Sequence, residues 1–308
     1  MAKIEIPSAL KADIPQTLLG RIMTATPIVM TVIATMLAGL ASSEMTKAQY
    51  DRSLAAQQQS KAGDQWGFFQ AKRQRSAMER IALDQLQATV ETHPLEPAAL
   101  QQAFASSDKL RLLLDNPAGQ NALALLQKGE LPSTAKNTPF PAEIKAALAA
   151  IEALKPDEEI ASLLGKVSNQ LIVQTIVTAK EQADAFDEAT KPINQTIEAL
   201  DKALIHQEVR RDFTATKQRF SSLRYDAEAR LIQAIANLYE LQVRKNNFSA
   251  ERHHHRSQRF FFGMLGAQMA VIISTFAIAA RQRNLLWTLA AAAGVTALLF
   301  AGWVYLYV

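Results

Sequence analysis

The chain has 308 residues, 49% of them hydrophobic and 20% charged, with a formal net charge of +4 and no cysteine. Its basic residues are interleaved with acidic ones, which leaves no electrostatic footprint for nucleic acid, and the missing cysteines exclude disulfides, thiolate chemistry and cysteine-ligated metals. The charges are segregated: three long windows carry none, and the stretches between are dense in them.

Residues 1–21 form an N-terminal tail carrying Lys3, Lys11 and Arg21, and Ile22 to Ala41 then runs for twenty residues without a charge. A helix rises about 1.5 Å per residue, so roughly 20 apolar residues cross a hydrocarbon core of about 30 Å. Residues 22–41 are therefore expected as transmembrane helix 1. Gly39-Leu40-Ala41 has the small residues of a signal-peptidase site. A signal peptide's apolar region is shorter, about 7–15 residues, which favours an uncleaved anchor. Pro27 is expected in the first turns of this helix, where a missing amide costs least.

Residues 42–259 are expected as one extramembrane helical domain. From Ser43 to about Val90 there is no proline, and the glycines are Gly63 and Gly67, so a long helix continues from the first membrane segment. Met78, Ala82, Leu86 and Val90 lie four apart and predict an apolar stripe on it. Prolines punctuate the next region, at 94, 97, 117, 132, 139 and 141. Residues 94–155 read as short helices joined by turns, expected as a distal cap or an insertion, with a helix ending near Leu154. Pro156 followed by Asp157, Glu158 and Glu159 is a helix start, with acids against the positive end of the dipole. Pro192 marks a second start or a kink. Ile193, Ile197, Leu200 and Leu204, and later Phe220, Leu223, Ala227, Leu231, Ile235 and Leu238, continue as stripes with coiled-coil-like spacings.

Phe260 to Ala280 and Leu285 to Val308 are the second and third charge-free windows, expected as transmembrane helices 2 and 3. Only residues 281–284 separate them, so they form a tight antiparallel hairpin. Trp287 at one end, and Trp303, Tyr305 and Tyr307 at the other, suit the aromatic belts of a bilayer. Small residues recur four apart in all three: Thr31, Thr35 and Gly39; Gly266, Ala270 and Ser274; Ala293, Ala297 and Ala301. Such stripes let helices pack within a bundle or between subunits. No ionisable residue lies inside the three windows, which argues for anchors over an ion-coupled transport path; a pore built by oligomerisation stays open. The short turn with Arg281 and Arg283 is expected in the cytoplasm, which puts residues 42–259 outside. A raw count of Arg244, Lys245, Arg252, Arg256 and Arg259 points the other way, but long segments translocate largely regardless of charge.

The run from Lys61 to Lys72, KAGDQWGFFQAK, resembles the bacterial membrane family catalogued as domain-of-unknown-function 4337. Members carry a K-A-x-D-Q-W-x-x-x-Q-A-K-like run soon after a first membrane helix. The tail is similar as well: a His-rich basic approach, two closing membrane helices and an Arg-rich turn. The resemblance covers roughly residues 1–90 and 225–308 and implies an architecture without a mechanism. For a bacterial chain, the outside placement read from the basic turn means the inner (cytoplasmic) membrane with the large domain periplasmic. Lys61, Asp64, Gln65, Trp66, Phe69, Gln70 and Lys72 form a mixed helical patch. It is read either as a docking site for a partner, lipid headgroup or subunit, or as Trp66 and Phe69 packing into the bundle with the polar residues in water.

His253, His254 and His255 are the one cluster with metal-ligand chemistry. Consecutive helix positions point about 100° apart, so a single helix cannot aim all three at one ion. With Arg252, Arg256 and Arg259 they read as a juxtamembrane collar for lipid phosphates. No phosphate loop, zinc-protease or serine-hydrolase motif is present, so neither catalysis nor a cofactor is expected. The fold class expected is an all-α membrane protein, with three transmembrane helices and a large extramembrane bundle or stalk. The expected role is a membrane-anchored scaffold that self-associates; an accessory or sensor subunit docking a partner in a membrane complex, or an oligomeric channel, are the rivals.

Overall fold

The computed structural model describes residues 18–103, 111–112, 116–135, 139–204, 207–279 and 283–307. These are helical throughout, without a strand: α1 (Leu18–Thr89), α2 (Pro97–Ala103), α3 (Pro117–Lys128), a 3-10 turn (Ser133–Ala135), α4 (Ala142–Glu152), α5 (Asp157–Lys166), α6 (Asn169–Ala203), α7 (Gln207–Ala279) and α8 (Arg283–Tyr307). The chain divides into two compact units. The first takes residues up to Leu54 and from Asn246 onward, and the second is Ala55–Lys245.

In the first unit α1, α7 and α8 pack together around Ala34, Leu37, Ala41, Phe260, Ala267, Ala297 and Val304. A β-carbon at Gly263 would meet Leu37 of α1 and Phe300 of α8, and one at Gly266 would touch Ala297. Gly294 of α8 lies under the Met30 side chain of α1 and close to Ala270 of α7. The pairings Gly263 with Phe300 and Gly294 with Ala270 run in opposite directions along the two helices, so α7 and α8 form the expected antiparallel hairpin. Trp287 is half-buried, and its Nε1 donates to Thr26 Oγ1 of α1 at 3.4 Å. The closing turn with Arg281 lies outside the described residues; Arg283 begins α8.

Three helices are each long and apolar enough to cross a membrane: α1, α7 and α8. Their outward faces are apolar too. Ile28, Val32 and Met36 of α1, Phe262, Met269 and Phe276 of α7, and Leu289 and Leu299 of α8 are all exposed. The bent pair α5–α6 joins that set only if it is one broken span, with an 83° bend.

One expectation about α1 is corrected and a second is narrowed. The helix is already formed at Leu18, the first described residue, so Pro27 lies in its interior and not in its first turns. A charge-free window does not mark a helix end, and nothing in Leu18-Leu19-Gly20-Arg21 stops the helix from beginning earlier. Nor does the small-residue stripe of Thr31, Thr35 and Gly39 pack within the chain. All three are exposed, the threonines bond their own helix at Pro27 O and Thr31 O, and Gly39 has nothing within 4 Å. The second and third stripes do turn inward, with Ala270, Ser274 and Ala297 buried.

In the second unit α7 is buried on two faces. Ala227 and Leu231 pack against Phe186 of α6. Toward the start of α7, Phe213 and Phe220 share a core with Leu95, Leu100, Ala122, Leu126 and the α6 stripe Ile193, Ile197, Leu200 and Leu204. Within the 94–155 segment, Leu95, Leu100 of α2, and Ala122 and Leu126 of α3 thus build part of this core against α6. Pro192 sits inside an unbroken α6 and starts no new helix. Pro156 caps α5, whose first turn carries Asp157, Glu158 and Glu159 as expected. Lys245 donates to the carbonyl of Val167 where α5 ends, and burial pushes its ammonium below the ordinary lysine value.

Two helices end in the same Schellman arrangement. Gly129 closes α3 with φ 63°, its N–H bonding Leu126 O while the Glu130 N–H bonds Leu125 O. At the end of α4, Leu154 N–H bonds Ile151 O and Lys155 N–H bonds Ala150 O, with Leu154 at φ 50°. The left-handed conformation suits glycine and costs an L side chain about 1–2 kcal/mol.

Candidate functional site

The predicted 61–72 patch lies on α1 within the second unit, and much of it is spent on α7. Trp66 Nε1 donates to Glu240 Oε1 at 2.8 Å, and its ring meets Phe69 edge-on at 5.3 Å. Lys72 pairs with the buried Glu228 and lies 5.5 Å from the Tyr225 ring; Lys61 lies 6.0 Å from that of Tyr239. Immediately beyond, Arg73 pairs with Asp226, and Ser76 Oγ donates to Ser222 O at 2.9 Å. Gln65 is half-buried. Asp64, Gly67, Phe68 and Ala71 face outward, with Gln70 exposed on the flank.

The apolar stripe expected on this helix is not the one that packs. Met78 is 59% and Val90 40% exposed, and Ala82 and Leu86 are only half-buried. The buried positions of α1 recur every seven residues instead. In the second unit they are Ala55, Ala62 and Ser76, facing Ser222, Ala229, Ala236 and Val243 of α7, which are also seven apart. In the first unit Ala34, Ala41 and Ala48 are buried, as are Ala250 and Ser257 of α7. Ser257 Oγ donates to Ala41 O at 2.7 Å. A seven-residue repeat holds a seam on one side of two supercoiled helices, and alanine and serine let the backbones come close. Alanine every seven residues was the sequence signal for this seam. It was hidden because alanine is too weakly apolar to stand out as a stripe.

The three histidines, all in the first unit, have three different partners. His253 Nδ1 lies 2.5 Å from Glu44 Oε2, His254 Nε2 lies 3.1 Å from the Gln258 amide, and His255 Nε2 lies 3.7 Å from Glu251. Among the described residues no group of three or more metal-ligating side chains comes together. Glu44 also accepts from Lys47 Nζ at 2.7 Å. Burial by itself would raise the Glu44 carboxyl, but the hydrogen bonds and charges of Lys47 and His253 outweigh it and hold the group below its ordinary value. This partly buried triad was missed in the sequence, because Glu44 and His253 stand 209 positions apart. Of the basic collar, Arg252 is exposed, Arg256 is half-buried, and Arg259 stacks 5.1 Å from the Trp303 ring.

Residues 23–112 match the family described as Domain of unknown function (DUF4337), which includes the 61–72 run that carried the resemblance. The closing hairpin and the histidine cluster lie outside the matched residues. Neither the curated proteins nor the solved structures hold a match to the chain.

Proposed function

We propose that this DUF4337-family protein is a non-enzymatic, membrane-anchored helical scaffold that self-associates through its spans. One observation carries the reading. The stripe of Thr31, Thr35 and Gly39 is left on the outside of α1, flanked by exposed Ile28, Val32 and Met36, while the corresponding stripes of α7 and α8 turn inward. A small-residue face surrounded by large apolar side chains suits helix–helix contact in lipid. The absence of ionisable residues in 22–41, 260–280 and 285–308 favours anchoring over ion-coupled transport. The basic turn supports an inner-membrane location with the 42–259 domain on the periplasmic side.

Mass measurement of the detergent-extracted chain tests self-association. An oligomer is expected, and Thr35→Leu with Gly39→Leu should reduce it to monomer. A wild-type monomer overturns the proposal.

A second reading, an accessory or sensor subunit, draws on exposed Phe68, 58% accessible beside Asp64. Because Trp66 and Lys72 hold α1 to α7, its test is Phe68→Ser, which should abolish partner capture without changing helicity. Unchanged capture rejects it.

A further inference from the structure

We infer that the first unit holds one phospholipid in a groove between α1 and α7, with its phosphate–glycerol end at His254 and Gln258 and an acyl chain along Phe261 and Phe262. The inference rests on the membrane reading above. The groove has a volume of about 600 Å³, within the size range of small-molecule sites. Its lining changes character along its length. On α7, His254 and Gln258 precede the charge-free window that opens at Phe260, and Phe261 and Phe262 lie inside it. On α1, Ala38 lies inside its window and Met45 lies beyond Ala41. The groove therefore crosses the level at which headgroups give way to hydrocarbon, and a phospholipid carries the same gradient from polar to apolar.

The hydrogen-bonding inventory points to the same occupant. The Ser257 hydroxyl, also on the groove, is already engaged with Ala41 O. The His254 ring uses Nε2 on Gln258, while its Nδ1 has no partner among the described residues. Gln258 is exposed, and its amide NH2 keeps a second hydrogen to donate to the phosphate or ester oxygen that a lipid brings. Arg256 lies about 200° round α7 from His254, and Arg252 and Arg259 fall on that same far side. The groove is thus separate from the basic collar and selects by shape and hydrogen bonding, without calling for an anionic headgroup.

Native mass spectrometry of the full chain, extracted in mild detergent and supplied with phosphatidylcholine or phosphatidylglycerol, tests the inference. One lipid per chain is expected to stay bound, equally for both headgroups. Ala38→Phe, which fills the groove, should lower retention at least tenfold, and Leu299→Phe on the exposed face of α8 should leave it unchanged. If Ala38→Phe loses helicity, Gln258→Leu decides in the same assay. Retention unaffected by the groove variants overturns the inference, as does a strong preference for the anionic lipid or a groove filled by a second copy with no lipid bound. A chain that resists carbonate extraction from vesicles yet keeps no lipid sinks the groove alone; a chain that fails to enter vesicles sinks the membrane reading.

Discussion

Replacing Ala62 by leucine is the most direct challenge to the alanine seam. Ala62 is fully buried, in the turn before Trp66. The substitution adds three carbons, which would contribute about 2.4 kcal/mol at roughly 0.8 per buried methylene if they could be buried without strain. The geometry works against that gain. A seam of alanine and serine leaves no gap between α1 and α7, so the larger side chain must push the helices apart. Separation would strain the Trp66–Glu240 hydrogen bond and the Lys72–Glu228 ion pair, both close by. Overpacking of this kind costs about 1–3 kcal/mol net. At roughly 2–4 °C per kcal/mol, Tm should fall by about 2–12 °C, read by far-UV circular dichroism on the full chain in detergent. Ala71→Leu, on the exposed face of the same helix, is the control and should change stability by less than about 0.5 kcal/mol. If Ala62→Leu melts at or above the wild-type temperature, the close-packed seam is wrong.

Three further outcomes follow from particular contacts. Leu154→Gly should stabilise the chain by about 0.5–1 kcal/mol, because relief of the left-handed strain exceeds the extra backbone entropy of glycine and the side chain, 86% exposed, has little packing to lose; a lower Tm would refute this. Ionised Glu44 should stabilise the fold fully above its ordinary pKa of 4.5 and lose that contribution as pH falls through the lowered folded value. The stability difference between wild type and Glu44→Gln should therefore shrink on the acid side, and a difference constant from pH 7 to pH 3 would contradict the triad. Gly294→Leu should destabilise the first unit because its β-carbon meets Met30. Met30→Ala should recover part of the loss, with a coupling of about 0.5–3 kcal/mol in a double-mutant cycle; strict additivity would show that the two do not touch.

The long α1, the closing hairpin, the start of α5 after Pro156 and the three apolar windows are legible in the amino-acid sequence. These depend on local properties: charge-free length, the absence of proline, and acids placed against a helix dipole. Even the run at 61–72, where the family match falls, was legible as a helical patch. Which faces are used emerges from the folded arrangement. It turned Met78 and Val90 outward and buried Ala55 and Ala62, because the close approach of α7 favours the smallest side chains and not the most apolar ones. It left Thr31, Thr35 and Gly39 outside while Ala34 and Leu37 took the inner face, and it joined Glu44 to His253 across 209 positions of sequence. Face selection depends on what the neighbouring helix presents, and that information lies in a distant part of the chain.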